Sequence, residues 1–226
     1  MKKIAIIPAR SGSKGLPDKN ILDFCGKPLM VWSIEAAINS KCFDRVIVST
    51  DSKKYGEIAI KYGAEVIYRS QNASSDTASM FEAVKELFNK INYKEYNYFV
   101  LLQPTSPLRT KQHIIDSIDL FENNFERINT LVSVKRVENP LILIKPIEQD
   151  LSLKYFTDDY SNYARQKYEE YTPNGAINIA KIDFYLKEKQ FLDKSGIAYI
   201  MDKASSVDID DKFDFEYAKM VKNIIN

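Results

Sequence analysis

Three stretches of this 226-residue sequence bring together side chains able to do chemistry. The first reads Ala9-Arg10-Ser11-Gly12-Ser13-Lys14-Gly15-Leu16-Pro17-Asp18-Lys19-Asn20, directly after the apolar run Lys3 to Ala9. Glycines let backbone N–H groups approach an anion, and the cations Arg10, Lys14 and Lys19 offset its charge. Composition and position point to a phosphate-holding loop rather than a solvated basic turn. It carries neither a GxxxxGK[ST] nor a GxGxxG pattern. The second stretch is Gln103-Pro104-Thr105-Ser106-Pro107-Leu108-Arg109, where an amide and two hydroxyls follow another apolar run and prolines stiffen the loop. The third is Ser205-Ser206-Val207-Asp208-Ile209-Asp210-Asp211. In extended chain, residues two apart share a side. Asp208 and Asp210 are therefore aimed at one point, where a pair of carboxylates suits magnesium. Asp211 turns away and caps the helix that follows.

The elements around these stretches read as an alternation of strands and helices. Strands are expected over 3–9, 45–50, 65–69, 98–103 and 130–135. Helices are expected over 28–40, from Asp51 or Ser52 to about Tyr62, from Asp76 or Thr77 towards Ile91, and from about Lys111 to Phe125. Such alternation requires an α/β fold, with a mostly parallel, doubly wound sheet. Ligands then bind at the carboxyl ends of the strands. The loops after Ala9, Arg69 and Gln103 become the places to look. The pattern breaks at Val137. Leu141 to Ile144 and Leu151 to Phe156 are expected to pair as a small projecting hairpin, which is marginal alone and needs a second subunit to cover it. Strand and helix signals resume over 175–180, 182–189 and 198–201, with a last helix over 211–225. The expected organisation is one α/β domain made of 1–136 and 174–226, with 137–173 as dimerisation hairpin and binding segment.

Composition narrows the classes. A net charge of +1 gives no broad field for nucleic acid or an anionic membrane. Cys25 and Cys42 lie in no CxxC pair and have no histidine cluster beside them, so zinc is not expected. The apolar run at the start is too short for a secretory segment, no stretch approaches a membrane span, and a cytoplasmic protein is expected. The single histidine, His113, falls inside a helix and reads as a helix residue rather than a catalyst.

The motifs together resemble a known family. Ile7 to Asn20 looks like the opening motif of the sialic acid cytidylyltransferases (CMP-N-acylneuraminate synthetases), and Gln103 to Arg109 resembles their second signature. Arg165-Gln166 followed by Asn174-Gly175-Ala176-Ile177 resembles their sugar-site segment, and Val207 to Asp210 their late metal motif. The resemblance implies a fold of the nucleotide-diphospho-sugar-transferase type and a homodimer. It also implies a reaction in which the anomeric hydroxyl of a nine-carbon 2-keto-3-deoxy sugar acid attacks the α-phosphate of CTP, with Mg2+ as cofactor. The implied nucleotide site comprises Ala9, Arg10, Ser11, Gly12, Ser13, Lys14, Lys19, Asn20, Arg69, Ala78 and Ser79. Gln103, Thr105, Ser106, Arg165, Gln166 and Asn174 are implied to hold the sugar acid. Arg10, Lys19, Asp208 and Asp210 are the implied catalytic set. Legionaminate and pseudaminate cytidylyltransferases share these signatures and are the alternative. Gly12-Ser13-Lys14-Gly15 departs from the Ser-Thr-Arg-Leu-Pro loop typical of 3-deoxy-octulosonate enzymes. The missing GxGxxG argues against an NAD-dependent oxidoreductase. The carboxylate pair favours turnover over a non-enzymatic nucleotide-binding protein.

Overall fold

The structure is a computed structural model that describes residues 1–12, 15–70, 72–74, 79–159, 161 and 169–225. Its centre is a seven-stranded sheet of β1 (Lys3–Pro8), β4 (Arg45–Thr50), β5 (Glu65–Tyr68), β6 (Tyr98–Leu102), β7 (Thr130–Arg136), β8 (Tyr171–Lys181) and β9 (Ile197–Ile200), in the order β5-β4-β1-β6-β8-β7-β9. Only β8 runs against the rest, antiparallel to both β6 and β7. The sheet is thus mostly parallel, as the alternation requires.

The pleat of β1 shows why helices must cover both faces. Ala5 and Ile7 point to one side, where α1 (Leu29–Ser40), α2 (Lys53–Lys61) and α4 (Lys111–Glu122) supply Ile34, Tyr55, Ala59, Ile114 and Phe121. Ile4 and Ile6 point to the other, against Phe81, Val84 and Phe88 of α3 (Met80–Asn89) and Ile182 and Tyr185 of α5 (Ile182–Glu188). A strand apolar on both faces carries no alternation in its sequence, which is why these strands read as continuous apolar runs. A third cluster joins Leu29, Val207 and Ile209 to Phe215 and Ala218 of α6 (Lys212–Ile225). Phe24 completes it from a two-stranded hairpin, β2 (Asp23–Phe24) with β3 (Lys27–Pro28), that the sequence reading did not anticipate. Cys25 and Gly26 turn it with φ of 53° and 92°, the left-handed pair that a two-residue hairpin turn demands.

Several expectations change. No hairpin forms between 141–144 and 151–156. Leu141–Leu143 is a single 3₁₀ turn and 151–156 has no strand. Leu141, Ile144, Ile147, Leu151 and Leu153 instead stand exposed, and the N–H groups of Leu143 and Ile144 go to local turn bonds with the Pro140 and Leu141 carbonyls rather than to a ladder. β8 begins at Tyr171, inside the stretch assigned to the appendage. The cap of α3 is Ser79, whose side chain accepts from the Glu82 N–H at 3.2 Å, while Asp76 and Thr77 lie outside the described residues. Ser52 caps α2, leaving Asp51 for another task. Asp211 does cap α6: its Oδ1 accepts from the Asp214 N–H, and Asp214 Oδ2 accepts in return from the Asp211 N–H.

Candidate active site

Because six strands point the same way, Ala9, Asp51, Arg69 and Gln103, which follow β1, β4, β5 and β6, gather along one edge. The start of β8 reaches the same edge from the opposite direction, bringing Asn174 and Gly175 beside Gln103.

The loop after β1 is held from both sides. Ala9 is fully buried, and its N–H donates to the Ser49 carbonyl. Asp51 grips Ser11 twice, accepting from its N–H and its hydroxyl, each at 2.8 Å. The backbone then turns through Gly12 at φ 72°. Farther on, Asn20 is buried and donates from Nδ2 to the Arg10 carbonyl at 3.1 Å. Asp18, at φ 51°, accepts from the Tyr55 hydroxyl. Arg10 therefore sits on a segment pinned at Ser11 and at its own carbonyl. Arg69 feels the charges of Asp51 and Arg10, and burial pushes its pKa below the ordinary arginine value. Ser13, Lys14, Ala78, Arg165 and Gln166 lie outside the described residues.

Lys19 runs inward, mostly buried, and its ammonium reaches the Ile209 carbonyl at 2.5 Å and Asp210 Oδ1 at 3.2 Å. The late motif has the alternation its sequence implies. Ile209 is fully buried and its N–H donates to the Thr105 carbonyl, while Asp208 and Asp210 emerge on the other side. Asp208 accepts from the Thr105 hydroxyl at 2.6 Å and from Gln103 Nε2 at 3.0 and 3.1 Å. Burial raises its pKa above the ordinary carboxylate value, and repulsion from Asp210 adds to the rise. Two mutually repelling carboxylates, one half-buried and one exposed, make a hard-oxygen donor set that fits magnesium. Among the described residues no larger metal-holding cluster of His, Cys, Asp or Glu gathers.

Asn174 and Ser106 stand behind this surface. β7 and β8 lose register between Val132 and Val134, and Asn174 mends the break. Its Oδ1 accepts from the Ser133 hydroxyl and the Ala176 N–H, and its Nδ2 donates to the Ser206 hydroxyl at 2.8 Å. Ser106 is fully buried. As placed, neither side chain faces an open cleft, because the bulge consumes the amide and the loop covers the hydroxyl. Gln103 does face one, of about 520 Å³, with Leu101, Phe81, Tyr185 and Phe191 as apolar wall and Ser79, Asn178, Lys189 and Gln190 as polar positions. A second cleft, of about 610 Å³, reaches Asp208 from the other side, past Lys135, Arg136 and Lys203.

Sequence reasoning missed Asp51 and the cleft wall. Asp51 follows a parallel strand, so the rule that selected the loop after Ala9 applied to it as well. The wall residues come from a strand, two helices and a loop distant from one another in sequence, and no local pattern marks them.

A profile described as cytidylyltransferase matches residues 4–224. The chain belongs to the cytidylyltransferase family. It is 48% identical over 217 residues to an N-acylneuraminate cytidylyltransferase of Escherichia coli O18:K1:H7, covering 96% of this chain and 51% of that protein. It is 40% identical over 219 residues to an N-acylneuraminate cytidylyltransferase of Streptococcus agalactiae serotype V, covering 95% of this chain and 52% of that one. The cytidylyltransferase chain thus spans about half the length of these curated relatives. A solved CMP:2-keto-3-deoxy-manno-octonic acid synthetase, complexed with CTP, shares the fold with a TM-score of 0.75 at 17% identity over all of both chains. Among the described residues no helix is long and apolar enough to cross a membrane.

Proposed function

We propose that this chain joins CMP from CTP to the anomeric hydroxyl of a nine-carbon 2-keto-3-deoxy sugar acid, a sialic acid, and releases pyrophosphate. The observation that carries this reading is the junction at Gln103. One side chain lines an apolar-walled cleft of sugar size and also holds Asp208, whose neighbour Asp210 pairs with Lys19 at the end of the phosphate loop. Acceptor site, carboxylates and phosphate site are therefore contiguous. The sialic acid assignment draws on the printed activity of the 48%-identical relative.

In this reading the Arg10 loop and Lys19 hold the triphosphate, and Arg69 with the 78–79 segment receives the cytosine. The cleft wall of Phe81 and Phe191 packs the apolar parts of the acid, and Gln103 orients its hydroxyls. Arg165 pairs with the sugar carboxylate and Gln166 with its side chain. Asp208 and Asp210 hold magnesium, whose charge offsets that of the triphosphate. Phosphoryl transfer needs mainly positioning and charge stabilisation, and a loop pinned by Asp51 and Asn20 supplies both with little reorganisation. The protein works in the cytoplasm as a homodimer joined through the exposed apolar 141–153 segment, without nucleic acid or membrane.

The test is pyrophosphate release from CTP with magnesium and a panel of sialic, legionaminic, pseudaminic and 3-deoxy-octulosonic acids. The expected result is fastest turnover with sialic acid and loss of turnover on chelating the metal. Faster turnover with legionaminic or pseudaminic acid moves the assignment to that acid, and no turnover with any acid refutes the reading.

A further inference from the structure

Arg109 is an unusual residue to find where it is. It is 2% exposed, and among the described residues no carboxylate bonds to it. Its Nη1 donates to the Gln103 carbonyl at 3.1 Å and to the Ala176 carbonyl at 2.7 Å. Nε and Nη2 are buried and meet no acceptor among the described residues. Burial without a counter-charge pushes its pKa down to about 9. A buried cation of this kind costs stability unless its contacts do something an apolar side chain cannot.

Those contacts fall at one place in the sheet. The β6–β8 ladder ends with the pair Leu102↔Ile177, so Gln103 and Ala176 are the first residues beyond its last rung. On its other side β8 loses register with β7 over the same residues. One guanidinium nitrogen bridges the two carbonyls just beyond the last β6–β8 rung. The Ser33 hydroxyl donates to the same Gln103 carbonyl at 3.2 Å. The Gln103 side chain leaves in the other direction. Its Oε1 lies against the Cα of Gly175, where a Cβ would collide with it, and its Nε2 reaches Thr105 and Asp208. The backbone is thus fastened from behind while the amide is aimed at the front.

We propose that Arg109 is a positioning residue: by clamping the Gln103 and Ala176 carbonyls it holds the Gln103 amide between Thr105 and Asp208, and so sets the acceptor side of the site. Without the clamp the Ala176 carbonyl loses the guanidinium, the Gln103 carbonyl is left to the Ser33 hydroxyl and the Ser106 N–H on its own side of the gap, the strand ends part, and the amide shifts. The inference rests on the role given to Gln103 in the proposed function.

A double-mutant cycle tests it, with Arg109→Met, Gln103→Ala and the pair. Displacements on the ångström scale cost about a hundredfold in turnover in other enzymes. Arg109→Met is expected to lower kcat ten- to a hundredfold, by that same reasoning, with KM for CTP little changed. In the Gln103→Ala background the same substitution should lower it no more than about twofold, because residues acting as a unit are non-additive. Arg109→Lys, which keeps one donor, should recover part of the loss. Equal losses in both backgrounds, or none in either, overturn the proposal. Should Arg109→Met not fold, Arg109→Lys carries the same cycle with the same criteria. A second readout needs no turnover: the side-chain amide resonances of Gln103 in a ¹⁵N spectrum, identified with Gln103→Ala, should shift in Arg109→Lys. Unmoved resonances overturn the proposal even if activity falls. If no acid is a substrate, the wild type forms no product while the spectrum still reports on Arg109, so the two failures are distinct.

Discussion

Asp208 accepts three hydrogen bonds and still has a raised pKa, because burial outweighs the donors. The sign of the consequence follows from linkage. A carboxyl whose folded pKa lies above its unfolded value keeps its proton longer in the folded chain. Ionisation of Asp208 therefore withdraws stability as pH rises from the ordinary carboxylate range through the raised value. Asp208→Asn removes the titration. The melting temperature of the variant minus that of the wild type should climb between pH 4 and 7, and a difference that stays flat over that range would dismiss the buried carboxylate as its origin. The same substitution should abolish most magnesium-dependent turnover, as should Asp210→Asn, with Asp211→Asn far milder because Asp211 only caps α6. Arg10→Ala should keep the fold, since Ser11 and Asn20 fasten the loop without that side chain. It should lose about 2–4 kcal/mol of transition-state stabilisation, the range for one well-placed donor. Steady-state kinetics with circular dichroism as the folding control decides it, and near-normal turnover removes Arg10 from the transfer step.

At the scale of elements, the β7–β8 break shapes the site. Gly175 has φ of 74° and Gln103 Oε1 packed where a Cβ would go, so Gly175→Ala meets two penalties together. The left-handed backbone costs about 1–2 kcal/mol for a residue with a Cβ, and the new methyl must displace the Gln103 amide. A lower melting temperature with a raised KM for the sugar acid is expected; lost stability with unchanged kinetics would show that Gln103 tolerates the shift. The parallel strands were legible because burial on both faces leaves unbroken apolar runs, as in Ile4 to Ile7 and Tyr98 to Leu102. The first half of β8 was not, because Thr172-Pro173-Asn174-Gly175 carries breaker residues that only the bulge accommodates. Asn174 was legible as important but not in its job, since an amide that patches a ladder and one that binds a ligand look alike in sequence. Asp51 was hidden for a related reason. Aspartate before a helix reads as a cap, and its bonds to Ser11 span 40 residues.

For the whole molecule, the exposed apolar side chains over 141–153 decide the assembly prediction. Leu141, Leu151 and Leu153 are each at least 65% exposed and belong to none of the three core clusters. Sedimentation of the wild type at micromolar concentration should show a dimer, and Leu151→Asp combined with Leu153→Asp should shift it to monomer with the sheet intact. A wild type that sediments only as monomer refutes the homodimer. The sequence foresaw an apolar excursion here but assigned it the wrong local form, because a short apolar run does not by itself distinguish a strand from an irregular chain.

The point where that excursion is rooted has a consequence for how such a chain can be remodelled. Arg136 and Tyr171 are paired across β7 and β8, and the Val137 N–H donates to the Glu170 carbonyl at 2.9 Å, so the segment departs and returns through one hydrogen-bonded gate. Loop-closure entropy rises only by about 0.6 kcal/mol for each doubling of loop length. The sheet is therefore nearly indifferent to what is spliced between those two residues. Replacing 138–169 by a short turn should leave a soluble, folded core. The same gate gives a place to graft a different excursion while the strand edge stays as it is.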